Sequence, residues 1–209
     1  MLTDQGIWLS TETPPRREGR PGLFLDRDGV LIREVNYLKS KEDVALEAGA
    51  AGIIRWARAR DFGVAAITNQ SGIARGIVSW ADFEAVEAEI ARQLAAAGVA
   101  LDLVVACPFH PDFTPGYGAA EDVWRKPGPR MIEEAALRMD LDLAASWLIG
   151  DKASDIEAAK RAGLKGAVTV ATGYGAQERE AAMALRDNTF EVIAADRLTD
   201  AQAVLNEAF

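Results

Sequence analysis

The sequence predicts an α/β fold, a three-layer α/β/α sandwich built around a mainly parallel sheet. Short apolar runs alternate with helical patterns from Gly22 onward. The runs are apolar on both faces, as parallel strands covered by helices on either side must be. The segments that link them, 30–47 and 108–125, are too short to fold as a second domain. Residues 1–21 are expected to be an N-terminal arm and 22–209 a single domain.

The elements follow in order. "GLFLD" is the first strand. Residues 48–61 have helical periodicity, and 62–69, "FGVAAITN", form a second buried strand. A helix over 79–98 has Ser79 as N-cap, Asp82 three residues later and Gly98 as its stop. A strand at 101–108, a helix at 128–140, a strand at 146–151 and a helix at 154–163 come next. Strands at 166–172 and 189–195 enclose a helical stretch, and a short helix closes the chain. The Pro- and Arg-rich stretch 10–21, "STETPPRREGRP", reads as an extended tail.

Composition excludes several functions. The 209 residues carry a net charge of −9, opposite to the basic footprint of a nucleic-acid binder. A single cysteine, Cys107, rules out a disulfide framework within the chain and points to a reducing compartment. The N-terminus lacks the apolar run of a signal peptide, and no stretch is long enough to cross a bilayer. A cytoplasmic protein without membrane or nucleic-acid partners is expected, with a monomer as the default state.

In parallel sheets ligands bind at the carboxyl ends of strands. Here those ends deliver Asp26-Arg27-Asp28-Gly29, then Thr68-Asn69-Gln70-Ser71-Gly72, then Arg125-Lys126-Pro127 after a long loop, then Gly150-Asp151-Lys152. Alternation along a strand sends Asp26 and Asp28 in similar directions. Carboxylates converging on one rim require a hard cation, and Mg²⁺ suits oxygen ligands. Such an ion would also offset the charge of a phosphoryl group approaching an acidic chain. Lys126 adds a fixed cation, and Thr68 and the amides of "TNQSG" add donors. One carboxylate can attack phosphorus while another manages the proton.

Each motif alone would suit an ordinary turn; their order at four strand ends does not. "DRDGV", "TNQ", "RKP" and "GDKASD" resemble the four motifs of the haloacid dehalogenase (HAD) superfamily, whose core is a Rossmann-like sandwich. "ITNQSGIARG", "CPFHP" and "IGDKASDIEAA" are similar to the branch holding the D-glycero-D-manno-heptose 1,7-bisphosphate 7-phosphatases and the histidinol-phosphate phosphatases. The resemblance covers about Gly22 to Thr172 and implies a capless enzyme acting on a small phosphorylated metabolite, a sugar phosphate for preference. It implies Asp26 as nucleophile and Asp28 as general acid/base. It implies Mg²⁺ held by the Asp26 side chain, the Asp28 carbonyl and Asp151, with Asp155 as an orienting group. Thr68 and Lys126 would hold the phosphoryl group. Asn69, Gln70, Ser71, Arg125 and Lys152 would contact phosphate or sugar, and Asn36 and Tyr37 lie in the family's substrate loop. Arg75 and the Arg125-Lys126 pair suit a second phosphate.

Many members of this branch bind zinc in the loop after the third strand. Here Phe109, Asp122 and Trp124 occupy three of those positions, and Cys107 with His110 cannot close a tetrahedral site. No structural zinc is expected, and Phe109, Phe113, Tyr117 and Trp124 are expected to pack the loop instead. Cys107 and His110 then read as ordinary core or loop residues. Other chemistries fail on residues: a cysteine phosphatase needs an arginine at Phe113, and the phosphate loops of nucleotide binders are missing.

Overall fold

The computed structural model describes residues 1–11 and 14–208. Among these residues seven strands form one sheet: β1 (Trp8–Leu9), β2 (Arg20–Leu25), β3 (Gly63–Asn69), β4 (Leu103–Cys107), β5 (Leu141–Gly150), β6 (Gly166–Thr169) and β7 (Glu191–Ala194). Their order across the sheet is β1-β4-β3-β2-β5-β6-β7. All neighbours are parallel except β1, which runs antiparallel to β4.

Alternating residues of each central strand feed two cores. Leu23 and Leu25, Val64 and Ala66, and Trp147 and Ile149 face one side. There they meet α1 (Ala50–Ala59), α3 (Trp80–Ala96) and α8 (Leu198–Ala208). Phe24, Ala65, Ile67 and Leu148 face the other, against α5 (Arg130–Met139), α6 (Ala153–Arg161) and α7 (Gly175–Met183). This two-sided burial is why the strands read as continuous apolar runs. The remaining helices, α2 (Ser71–Ala74) and α4 (Ala119–Asp122), are single turns inside loops.

Local signals are reproduced closely. Ser79 caps α3, with its side chain accepting from the Asp82 amide at 3.1 Å and Asp82 reaching back to the Ser79 amide at 3.0 Å. The segment between β2 and α1 holds a 3-10 turn, Lys41–Asp43, and isolated bridges of Asp28 to Ile32 and of Ile32 to Leu46. Among the described residues no separate cap domain stands over the sheet. Among the described residues no helix is long and apolar enough to cross a membrane.

The N-terminal arm departs from the expected free tail. Trp8 and Leu9 pair with Ala106 and Val105, and Ile7 and Leu9 are buried. The Ser10 hydroxyl accepts from the Val104 amide at 2.9 Å. β2 likewise begins at Arg20, inside the expected arm. Two residues of pairing carry no readable periodicity, so docking onto β4 decides this strand. β5 also starts five residues before expectation, in a half-exposed run, Leu141–Ala145, that lacks a buried-strand pattern.

Candidate active site

β2 lies between β3 and β5, with β4 one place further out. The four sequence motifs therefore emerge side by side along the carboxyl edge. Asp26, just past β2, is buried and accepts a hydrogen bond from Lys126 Nζ at 2.6 Å. The same ammonium lies 2.7 Å from Asp155 Oδ1 and donates to the Ile67 carbonyl at 3.0 Å. Asp26, Asp151 and Asp155 bring carboxylate oxygens within 4.8 Å of one another.

The shifts follow from this crowding. Burial pushes the Asp26 carboxyl up to about 6; Lys126 opposes, while Asp155 and Asp28 add repulsion. Burial, then the charges of Asp26 and Asp155, push Asp151 up to about 8. Burial works against the Lys126 charge, yet Asp155 and Asp26 together hold its ammonium above the ordinary lysine range.

Asp151 is packed into a glycine cradle. A Cβ on Gly29 would lie 2.7 Å from its Oδ2, and one on Gly173 2.2 Å. Both glycines have positive φ, so here a side chain would be both strained and obstructed. Asp151 Oδ2 accepts from the Tyr174 amide at 2.8 Å, while the buried Oδ1 has no partner. Both oxygens of Asp155 are spent, on Lys126 and on the Lys152 amide at 3.0 Å. An orphaned buried carboxylate oxygen facing a second carboxylate fits a hard divalent ion such as Mg²⁺.

Asp28 lines the same cleft and also the hollow beyond it. The strand ends at Leu25, so alternation does not set its direction. Arg27 grips both its oxygens, and Gln70 Nε2 donates to Oδ2 at 2.8 Å. Gln70 Nε2 also donates to Thr68 Oγ1 at 2.8 Å. Gln70, expected to contact substrate, braces Asp28 against Thr68 and also lines the hollow beside them. Asn69 lines both the cleft and that hollow while serving as a brace. Its amide pairs reciprocally with the Lys126 backbone at 3.0 and 3.1 Å, which anchors the lysine.

Asp26, Asp28, Thr68, Lys126 and Asp155 share a cleft of about 270 Å³, with Ser71, Arg125 and Lys152 at its wall. A second hollow opens beyond Asp28, lined by Glu34, Asn36, Tyr37 and Lys152. Asn36 and Tyr37 thus border this hollow. Lys152 stands above its ordinary value: burial opposes its charge, but Asp26, Asp151, Asp155 and Glu34 outweigh it. Arg75, expected to suit a second phosphate, makes contacts within the chain. Its guanidinium bonds His110 Nε2 at 2.8 Å and lies 4.2 Å from the Phe113 ring centroid.

The 108–125 loop is held by these contacts. His110 Nδ1 accepts from the Asp112 amide at 3.1 Å, so both its ring nitrogens are engaged within the chain. Trp124 is buried and Phe109 packs beside it in the second core, but Phe113 is 45% exposed. Cys107 is buried, and that burial pushes its thiol up to about 12. It has none of the character of a reactive thiolate.

Sequence reading gave no role to Arg27 or Glu87. Arg27 is 2% exposed and donates to Glu87 Oε1 at 2.8 Å. A signal existed: Glu87 interrupts the apolar stripe of Phe83, Val86, Ile90 and Leu94. A carboxylate on that stripe needs a buried partner.

Known proteins resemble this chain in sequence and in fold. A family profile described as HAD-hydrolase-like matches residues 123–201. A D-glycero-beta-D-manno-heptose-1,7-bisphosphate 7-phosphatase of Mesorhizobium japonicum is 37% identical over 167 residues, covering 78% of this chain and 76% of the relative. A D-glycero-D-manno-heptose-1,7-bisphosphate 7-phosphatase of Chlorobaculum tepidum is 42% identical over 73% of this chain and 79% of its own length. Among solved structures, a HAD-like phosphatase of Mesorhizobium loti superposes with TM-score 0.82 at 32% identity, covering 99% and 96% of the two chains. The D,D-heptose 1,7-bisphosphate phosphatase of B. bronchiseptica, complexed with magnesium and phosphate, gives 0.76 at 30% identity, covering 90% and 99%. With this similarity running along most of its length, and with all four motifs meeting at one sheet edge, the chain belongs to the HAD-like phosphatases, a family of phosphoric monoester hydrolases.

Proposed function

We propose that this protein is a Mg²⁺-dependent phosphatase that removes the 7-phosphate of D-glycero-D-manno-heptose 1,7-bisphosphate. The buried Asp26–Lys126–Asp155 group beside the partnerless Asp151 oxygen carries the reading. It is an anionic pocket with a lysine at its wall, suited to a phosphoryl group only once a cation is added. Asp26, Asp151 and the Asp28 carbonyl would hold Mg²⁺, which supplies charge neutralisation for the phosphoryl oxygens. The similarity to heptose-1,7-bisphosphate phosphatases supports the heptose substrate.

Asp26 attacks phosphorus and becomes an aspartyl phosphate as the bond to the sugar oxygen breaks. Asp28 gives its proton to that departing oxygen, then takes one from the water that releases phosphate. Thr68 and Lys126 hold phosphoryl oxygens, and Gln70 and Asn69 keep them in place. The polar hollow around Glu34, Asn36, Tyr37 and Lys152 suits a hydroxyl-rich sugar.

Asp26→Asn tests the reaction: the fold should persist, and Mg²⁺-dependent phosphate release should nearly vanish. Unchanged release would refute the assignment. A panel of the heptose bisphosphate, sugar monophosphates and histidinol phosphate tests the substrate. Clear preference for a monophosphate would overturn the heptose reading.

A further inference from the structure

Asp28 is one end of a buried chain of charges. Arg27 Nη2 donates to Asp28 Oδ1 at 2.9 Å and Nε to Oδ2 at 3.1 Å. A two-pronged grip of this kind sets the plane of a carboxylate as well as its distance. The third edge of the guanidinium is taken by Glu87, from Nη1 to Oε1 at 2.8 Å. Glu87 lies 60 residues along the chain, on α3, and is buried. Phe83 of the same helix places its ring 5.7 Å from the Arg27 guanidinium carbon, and Trp8 of β1 packs edge-on against Phe83 at 5.1 Å. The guanidinium is thus held from the side by a charge and from the face by an aromatic stack.

We propose that Glu87 is a positioning residue for Asp28, acting through Arg27. This rests on the reading of Asp28 as the proton-transfer group. Without Glu87, Nη1 is a buried donor with no acceptor, and such a group moves to find one. The guanidinium would turn, and its grip on Asp28 would turn with it. Asp28 must present its proton within hydrogen-bond reach of the sugar oxygen as the phosphorus–oxygen bond breaks. It must later accept a proton from water as water oxygen bonds phosphorus and the Asp26–phosphorus bond breaks. Both steps depend on the direction of one carboxyl group, and about 1 Å of misplacement can cost on the order of a hundredfold.

The test compares two esters on the full-length protein with Mg²⁺. The heptose bisphosphate has an alkoxide leaving group that needs a proton, whereas p-nitrophenolate leaves without one. For Glu87→Leu, heptose turnover should fall about 10- to 100-fold. With p-nitrophenyl phosphate the same variant should release one equivalent of nitrophenolate per site at the wild-type rate, then continue slowly as the aspartyl phosphate accumulates. Glu87→Gln keeps an oxygen toward Nη1 and should recover most of the lost rate. If Glu87→Leu loses both esters equally and its burst shrinks in proportion, Glu87 only supports folding and the inference falls. Wild-type rates on both esters would overturn it as well. Asp28→Asn, run alongside, should show the burst without turnover. Intact heptose turnover in that variant would overturn the role of Asp28 itself.

Discussion

Asp151→Asn should stabilise the metal-free protein, by an amount that grows with pH. Asp151 is fully buried, one oxygen has no partner, and Asp26 and Asp155 stand within 4.8 Å. Its carboxyl rises from the ordinary 3.8 to about 8. Below pH 3.8 both folded and unfolded chains hold the proton, so there is no penalty. Between those values the unfolded chain has released the proton and the folded chain has not. Folding then takes up a proton, and stability falls as pH rises, levelling off above about 8. At about 1.4 kcal/mol per pH unit, the upper bound is roughly 6 kcal/mol. Asp26 shares the same repulsion, so one substitution should recover about half, ~3 kcal/mol, within the range seen when buried charges are replaced by neutral groups of similar shape. For a chain of this size that is a Tm increase of ~6–12 °C. Asparagine can still accept from the Tyr174 amide, and its NH₂ can donate to the neighbouring carboxylates. Thermal melts in EDTA at pH 4, 6 and 8 should show a gap that opens with pH. Added Mg²⁺ should raise the wild-type Tm and leave the variant's unchanged. A variant that melts below wild type at pH 8 in EDTA, or a gap independent of pH, would refute the reasoning.

Lys126→Met removes the cation between Asp26 and Asp155; it should cost roughly 3–5 kcal/mol by urea unfolding and abolish phosphate release. An unchanged unfolding midpoint would contradict the charge arrangement. Asn69→Ala strips both hydrogen bonds from the Lys126 backbone; it should lower stability by about 1–3 kcal/mol and reduce kcat more than it changes KM. EDTA should abolish activity, with Mg²⁺ but not Zn²⁺ restoring it. Stoichiometric zinc in the purified protein, read by elemental analysis, would refute the account of the 108–125 loop.

Much of this is legible in the sequence alone. Six strands showed as apolar runs; in the central ones burial on both faces leaves that mark on composition, while β7 is only partly buried. The start of α3 showed because a capping box is local: Ser79 and Asp82 satisfy each other within one turn. Motif order along the chain marked the carboxyl edge, since parallel strands present their ends on one side. β1 was hidden because its two residues gain stability only by docking on β4. The loop anchors were half visible. Trp124 and Phe109 pack as their apolarity suggests, whereas His110 acts through hydrogen bonds that no residue type announces.

The sequence by itself determined the class of chemistry: carboxylates, a lysine and a hydroxyl at successive strand ends of an α/β sandwich. Tertiary structure decided who faces whom. Setting β2 between β3 and β5 brings Lys126 onto Asp26 across 100 residues. It spends Asp155 on Lys126, Gln70 on Asp28 and Asn69 on the Lys126 backbone, and leaves one oxygen of Asp151 bare. The reason is physical. A residue's type states what it can donate or accept, but the free energy of a buried charge depends on what lies within a few ångströms, and only the packed sheet brings those partners together.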